Sequence, residues 1–213
     1  MPIEIERKYL LENEEKNKLL DNFDSEKVGI IQWYLDGGVY INSSVRIRLM
    51  IRKENGKFVQ QWIYGKKTVL NNSLETREEK EFVVGKDEFD EAAEIKDLIF
   101  NSDDKLKSYP FVIKTRNIIH SISSVEIVLD TFINLPDIFF SDANLMEIEL
   151  KDSENKTLFE STLNKINVIP KIDLTDSREY TNHRIALKSF EKYGEPHENI
   201  SDLISILERE VIA

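Results

Sequence analysis

Cysteine is absent from this chain, and glycine and proline are sparse, at 7 and 5 of its 213 residues. No apolar run approaches the roughly 18 residues that a membrane-spanning helix needs. Without cysteine there can be no disulfide framework, zinc ribbon or thiolate catalysis, and a reducing cytoplasm is the expected home. The three histidines, His120, His183 and His197, show no metal-ligand spacing, so zinc is not expected. The start MPIEIERKYL has no apolar signal-like core, and no secretory leader or membrane partner is expected. Positive charge is also short: 29 Lys and Arg face 40 Asp and Glu, a net charge of −11. That balance disfavours a nucleic-acid binder relying on a basic surface, although it leaves room for a focused basic site inside the fold.

What is present is a core-forming chain, 40% hydrophobic and 32% charged, with no linker or internal repeat. Period-2 alternation predicts eight strands at about 3–10, 29–36, 44–53, 57–66, 76–84, 111–119, 124–132 and 145–151. Helical spacing predicts helices near 12–21, 87–100, 154–167, 177–192 and 199–211, with Asp87 and Ser201 as caps.

Successive strand residues face opposite sides, so each strand divides into two rows. In Val45-Arg46-Ile47-Arg48-Leu49 one row is apolar and the other arginine, and in Met146-Glu147-Ile148-Glu149-Leu150 the second row is glutamate. Treating the remaining strands alike collects seven cations, Lys8, Arg46, Arg48, Lys66, Arg77, Lys114 and Arg116. It also collects seven anions, Glu4, Glu6, Glu79, Glu81, Asp130, Glu147 and Glu149. The plainer explanation is a solvated face of an antiparallel sheet. Against it, the signs are sorted: acidic pairs lie on the first and last strands, basic pairs on the third and sixth. Like charges two apart on one strand gain nothing from each other unless they converge on a ligand. An α+β fold built on a closed eight-stranded antiparallel barrel, apolar rows outward under helices and charged rows inward, satisfies both requirements. Its lumen is then a wet polar tunnel, because unpaired charges cannot be buried dry.

These residues resemble the CYTH, or triphosphate tunnel metalloenzyme, superfamily. The resemblance rests on ordered motifs. Glu4-Ile5-Glu6-Arg7-Lys8 matches its ExExK, Gln32-Trp33-Tyr34-Leu35 its Q-x-Y-L and Arg46-Ile47-Arg48 its R-x-R. Arg77-Glu78-Glu79-Lys80-Glu81 matches R-x-E-x-E, Lys114-Thr115-Arg116 matches K-T-R, Asp130-Thr131-Phe132 matches D-x-F, and Glu147-Ile148-Glu149 matches E-x-E. Tyr180-Thr181-Asn182 followed by Ile185-Ala186 is similar to a late helical motif. The fourth strand departs from the family's T-x-K, reading Trp62-Ile63-Tyr64-Gly65-Lys66-Lys67, and parity favours Lys66 as the inward lysine. The loop at 68–76 is longer than is usual in the family.

The resemblance implies a tunnel domain over 1–190, with 191–213 as a helical tail that covers a barrel end or mediates a homodimer. It implies a metal-dependent hydrolase of a small triphosphate, foremost inorganic tripolyphosphate. Class IV adenylyl cyclase, thiamine triphosphatase and a non-catalytic polyphosphate or nucleotide binder are the alternatives. Mg²⁺ or Mn²⁺ suits hard carboxylate ligands. One ion is expected on Glu4, Glu6 and Glu149 with help from Glu147, and Glu79, Glu81 or Asp130 are candidates for a second ion or a base. Lys8, Arg46, Arg48, Lys66, Lys114, Arg116 and Arg184 are the expected phosphate-binding residues, with Glu4, Glu6, Lys8 and Lys114 central to catalysis. Crowding of like charges leads us to expect an alkaline optimum.

Overall fold

The computed structural model describes residues 3–36, 43–70, 75–101, 105–119, 125–133, 144–150, 155–196 and 198–212, with the side chains of residues 3 and 4 outside the description. Eight strands, β1 (Ile3–Leu11), β2 (Ser25–Tyr34), β3 (Ser43–Glu54), β4 (Lys57–Val69), β5 (Thr76–Val83), β6 (Phe111–Ile119), β7 (Val125–Phe132) and β8 (Asn144–Leu150), form one antiparallel sheet. Its order is β5-β4-β3-β2-β6-β7-β8-β1, and β1 also pairs with β5, which closes the barrel. β5 uses only the start of β1, through Ile3, Glu4 and Ile5. The free edge at the other end of β1 is taken by a two-residue strand, β9 (Ile172–Asp173), which lies outside the barrel and pairs with Tyr9 and Leu10.

Closure turns the fold inside out, because the apolar rows go outward. On one wall Ile5, Tyr9, Ile127, Leu129, Met146 and Ile148 pack beneath helices α1 (Asn13–Asn22) and α3 (Thr157–Ile166), which contribute Leu19, Phe159 and Ile166. On the opposite wall Ile31, Trp33, Ile47, Leu49, Ile51 and Tyr64 pack beneath α2 (Ala92–Phe100) and α5 (Ile200–Ile212) through Ile95, Ile99, Leu203 and Leu207. Each such side chain, fully buried, stabilises by about 2 kcal/mol. α5 comes close to the sheet at Gly29, where a Cβ would meet Leu207 and Val211 at 3.1 to 3.2 Å. A third apolar cluster plugs one end of the barrel: Leu10, Tyr34, Val112 and Leu145 meet Ile185 and Ala186 of α4 (Asn182–Tyr193). The tail helix therefore lies on the β2, β3 and β6 wall, and α4 is the helix at the barrel end.

Both expected caps are corrected. Asp87 Oδ2 accepts the Val83 amide at 2.6 Å in the turn after β5, and the helix starts later, at Ala92. At the start of α5, Asn199 Oδ1 accepts the Asp202 amide at 2.9 Å, whereas Ser201 lies within the first turn. The second strand begins earlier than its alternation predicts, because polar Ser25–Lys27 still pair with Asn117–Ile119 of β6. It ends at Tyr34, two residues before the expected end, where Asp36 turns back to accept the Val45 amide. The helix expected over 177–192 opens instead as a short 3₁₀ turn at Arg178–Tyr180, followed by α4 with Thr181 as its cap. Among the described residues no helix is long and apolar enough to cross a membrane.

Candidate active site

Strand register alone places the charged rows on one face. Arg46 lies opposite Tyr34 of β2 and Gly65 of β4, and Gly65 lies opposite Glu81. Arg116 lies opposite Asp130, Lys8 opposite Glu147, and Glu6 opposite Glu149. Side chains directly opposite on neighbouring strands share a face, so all of these point into the barrel. Most of them line a cavity of about 230 Å³. Among the described residues lining it are six cations, Lys8, Arg46, Arg48, Lys67, Arg77 and Arg116, and six carboxylates, Glu6, Glu79, Glu81, Glu126, Glu147 and Glu149.

The charges form two linked networks. In the first, Lys8 Nζ lies 2.7 Å from Glu147, whose other oxygen is 3.0 Å from Arg116. Arg116 also grips Asp130 with two nitrogens, at 2.6 and 2.7 Å. Glu6 accepts from Arg77 and lies 3.5 Å from Lys67, which reaches Glu79 at 3.0 Å. In the second, Arg46 donates to Glu79 and, at 2.9 Å, to Glu81, and Arg48 donates to Gln32 at 3.1 Å. Gly65 makes room for this arginine, since a Cβ there would sit 3.2 Å from Arg46 Nε.

Burial by itself raises a carboxyl pKa, but here the neighbouring cations overrule it. Lys67, Arg77 and Lys8 hold buried Glu6 down at about 2, and Lys8 and Arg116 hold buried Glu147 well below the carboxylate range. Glu81, beside Arg48 and Arg46, and Asp130, beside Arg116 and Lys114, are lowered in the same way. The cations respond to burial in the opposite sense. Burial, aided by Arg46, brings Arg48 down to about 10; burial, aided by Arg116 and opposed by Asp130, brings Lys114 down to about 7. Arg116 is instead raised, because Asp130 outweighs its burial. Crowded, desolvated cations of this kind gain from an anion placed among them.

Most of the expected residues come together, and some do not. Glu6, Lys8, Arg46, Arg48, Glu79, Glu81, Arg116, Glu147 and Glu149 line the cavity. The Glu4 side chain lies outside the description, though its backbone pairs with Arg77. Lys114 and Asp130 do not line the cavity; they form a fully buried pair at 2.5 Å behind Arg116. Lys66 requires a correction. It lies outside the barrel, half-exposed and paired with Glu91, and Lys67 takes the inward place opposite Ser44 and Glu79. The cause is the row it belongs to: Trp62 stacks on Trp33 and Tyr64 on Phe89, so the aromatic row packs outward and carries Lys66 with it. Arg184 is also corrected, since it turns away to Glu179 at 3.8 Å, while Thr181, Asn182 and His183 face the cavity. Sequence reasoning missed Glu126, although it shares the parity of Asp130 on β7, and it missed Asp36 and His183, which no strand pattern could connect. His120 and His197 lie outside the described residues.

A family model for the CYTH domain matches residues 2–178. The chain belongs to the CYTH domain family. The PH1819 protein from Pyrococcus horikoshii OT3 is structurally similar to this CYTH chain, with a TM-score of 0.51 at 20% identity, covering 78% of this chain and 92% of that one. It shows the fold. The inorganic triphosphatase NE1496 matches with a TM-score of 0.43 at 18% identity, covering 88% and 96% of the two chains. A second structure, of the hypothetical protein NE1496, has a TM-score of 0.43 at 17% identity and covers 86% and 97%. No curated protein sequence matches the chain.

Among the described residues of this CYTH domain, no three acidic or histidine side chains converge as a ready metal cluster; the carboxylates lie against cations. Their chemistry nonetheless fits a hard divalent ion. Glu6, Glu147 and Glu149 offer only oxygens, from facing positions on adjacent strands, and Glu6 and Glu147 are held ionised.

Proposed function

We propose that the protein is a metal-dependent hydrolase of triphosphates, with inorganic tripolyphosphate the preferred substrate and Mg²⁺ or Mn²⁺ the cofactor. The observation that carries this reading is the cavity wall itself. Among the described lining residues six cations and six carboxylates cancel, so a polyanion needs additional positive charge, and divalent ions supply it where carboxylates can hold them. Glu6, Glu147 and Glu149, with Glu4, would hold such an ion. When bound it neutralises phosphoryl oxygens and polarises the phosphorus toward attack.

The remaining work belongs to the chain's own groups. Arg46 and Arg48 on one side, and Lys8, Lys67 and Arg116 on the other, grip the phosphate oxygens and take up charge as the bridging bond breaks. Lys114 and Asp130 act from behind: Asp130 fixes the guanidinium of Arg116 by a two-pronged contact. Glu79 and Glu81 orient Arg46.

Substrate choice follows from what the wall lacks. Tyr34 is its only aromatic residue among those described; its hydroxyl accepts from Gln32 and its ring is stacked on His183. Trp62 and Tyr64 face outward, so among the described residues no aromatic face is open to a nucleobase or a thiamine ring. We further propose one tunnel domain over 1–190 with 191–213 as its packed tail, at work in the cytoplasm, in keeping with the absence of cysteine.

Product analysis with tripolyphosphate, ATP and thiamine triphosphate, each with Mg²⁺, Mn²⁺ or chelator, tests the reading. Fast orthophosphate release from tripolyphosphate with little from ATP is the expected result. Cyclic AMP and diphosphate from ATP would replace it with a cyclase, and tight binding without turnover would replace it with a sensor.

A further inference from the structure

Between the apolar plug and the cavity lies a polar group that neither the cationic grip nor the carboxylate rows use. Asp36, just past β2, accepts the Val45 amide through Oδ2 at 3.1 Å, and its side chain is only 3% exposed. Its other oxygen, Oδ1, lies 3.4 Å from Nε2 of His183, and neither atom has a hydrogen-bond partner among the described residues. The negative charge of that carboxylate, 3.4 Å away, favours the tautomer with the proton on Nε2, which leaves Nδ1 as a lone-pair acceptor. The ring is stacked on Tyr34, with centroids 4.7 Å apart, so its plane is held as well as its tautomer. Asn182 is next to it on the same cavity wall, and its buried Oδ1 also lacks a partner among the described residues. Two acceptors on adjacent residues repel a phosphate oxygen but suit a molecule with two protons to give, which is water.

We propose that His183 is the general base of the hydrolysis, taking a proton from the attacking water, with Asp36 its positioning residue and Asn182 an acceptor for the water's second proton. The assignment rests on the triphosphatase reading above. In the step, the water oxygen bonds to a terminal phosphorus and the bridging P–O bond breaks. The electron pair leaves on diphosphate, whose charge the arginines take up, and the proton passes to His183 and then to solvent. Tripolyphosphate and water thus give orthophosphate and diphosphate. Burial keeps the imidazole pKa below its usual value, with Arg184 acting in the same sense and Asp36 against it, so the ring is an unprotonated base at neutral pH.

The test uses the full chain with tripolyphosphate and Mg²⁺ or Mn²⁺. Expected for His183→Gln is a fall in kcat of about 10²- to 10⁴-fold, with KM and tripolyphosphate affinity by calorimetry nearly unchanged. His183→Ala should regain part of its rate with added imidazole. Asp36→Asn should lower kcat with KM retained, and serves if a His183 variant misfolds by circular dichroism. No turnover by the wild-type chain would overturn the triphosphatase reading and the base together. An active wild type whose folded His183→Gln keeps its kcat, or loses only affinity, would overturn the base alone.

Discussion

At the scale of single residues the neighbouring lysines of β4 make the sharpest comparison. Lys67 sits among Glu6 and Glu79 in the cavity, whereas Lys66 is outside on Glu91. A charge-assisted contact contributes about 1.5 to 3 kcal/mol, or roughly 10- to 100-fold in affinity. Lys67→Ala is therefore expected to raise KM for tripolyphosphate by that factor, and Lys66→Ala to leave it within about twofold. Steady-state kinetics on the two variants checks this. Lys66 is also the residue that strand parity misplaces, for an identifiable reason. The inside-out rule that sends Val45, Ile47 and Leu49 outward should have sent their partners Trp62 and Tyr64 outward too, and Lys66 shares their parity. Asp36 and His183 were beyond any such rule, since 147 positions separate them and only the plug at the barrel end brings them together.

Among the elements, the strands were the legible part. Their two faces differ so strongly, apolar under helices and charged toward the lumen, that period-2 rows in β1, β3, β6 and β8 mark the inward residues without knowledge of pairing. Helix starts were harder, because a capping residue is a local choice among several candidates: Asp87 serves a turn and Asn199 takes the place expected of Ser201. The tail expected to cover a barrel end or mediate a homodimer lies, as α5, on the β2, β3 and β6 wall, and its amphipathic pattern alone does not say which surface it meets. Leu207, fully buried on β2 beside Gly29, anchors it. Leu207→Ala is expected to cost about 3 kcal/mol and to lower Tm by roughly 6–12 °C. At temperatures where the variant stays folded its turnover should match wild type, since the cavity is on the other side of the sheet. Thermal denaturation beside an assay at low temperature checks both halves.

For the molecule as a whole, the consequence of an inside-out barrel is that stability depends on keeping the lumen charges ionised. Glu6 falls from 4.5 to about 2 on folding, and Glu147, Glu81 and Asp130 are lowered as well. A carboxylate with a lowered folded pKa binds fewer protons folded than unfolded, so its contribution is complete above about pH 4.5 and is lost as pH falls toward about 2. For Glu6 alone that amounts to about 3 kcal/mol. Denaturant unfolding at a series of pH values should show stability falling steeply across this window; a flat profile there would mean the lumen carboxylates are not held by their cations.

The charge balance is also what places metal at the centre of the proposed function: among the described cavity residues six cations face six carboxylates, and divalent ions would supply the excess positive charge that a polyanion needs. The most direct measurement is orthophosphate release from tripolyphosphate by the wild-type chain with Mg²⁺ or Mn²⁺, then with excess chelator, then with metal restored. Metal dependence predicts turnover that disappears with chelator and returns with the ion. Turnover unaffected by chelator, or none with either metal, would contradict it.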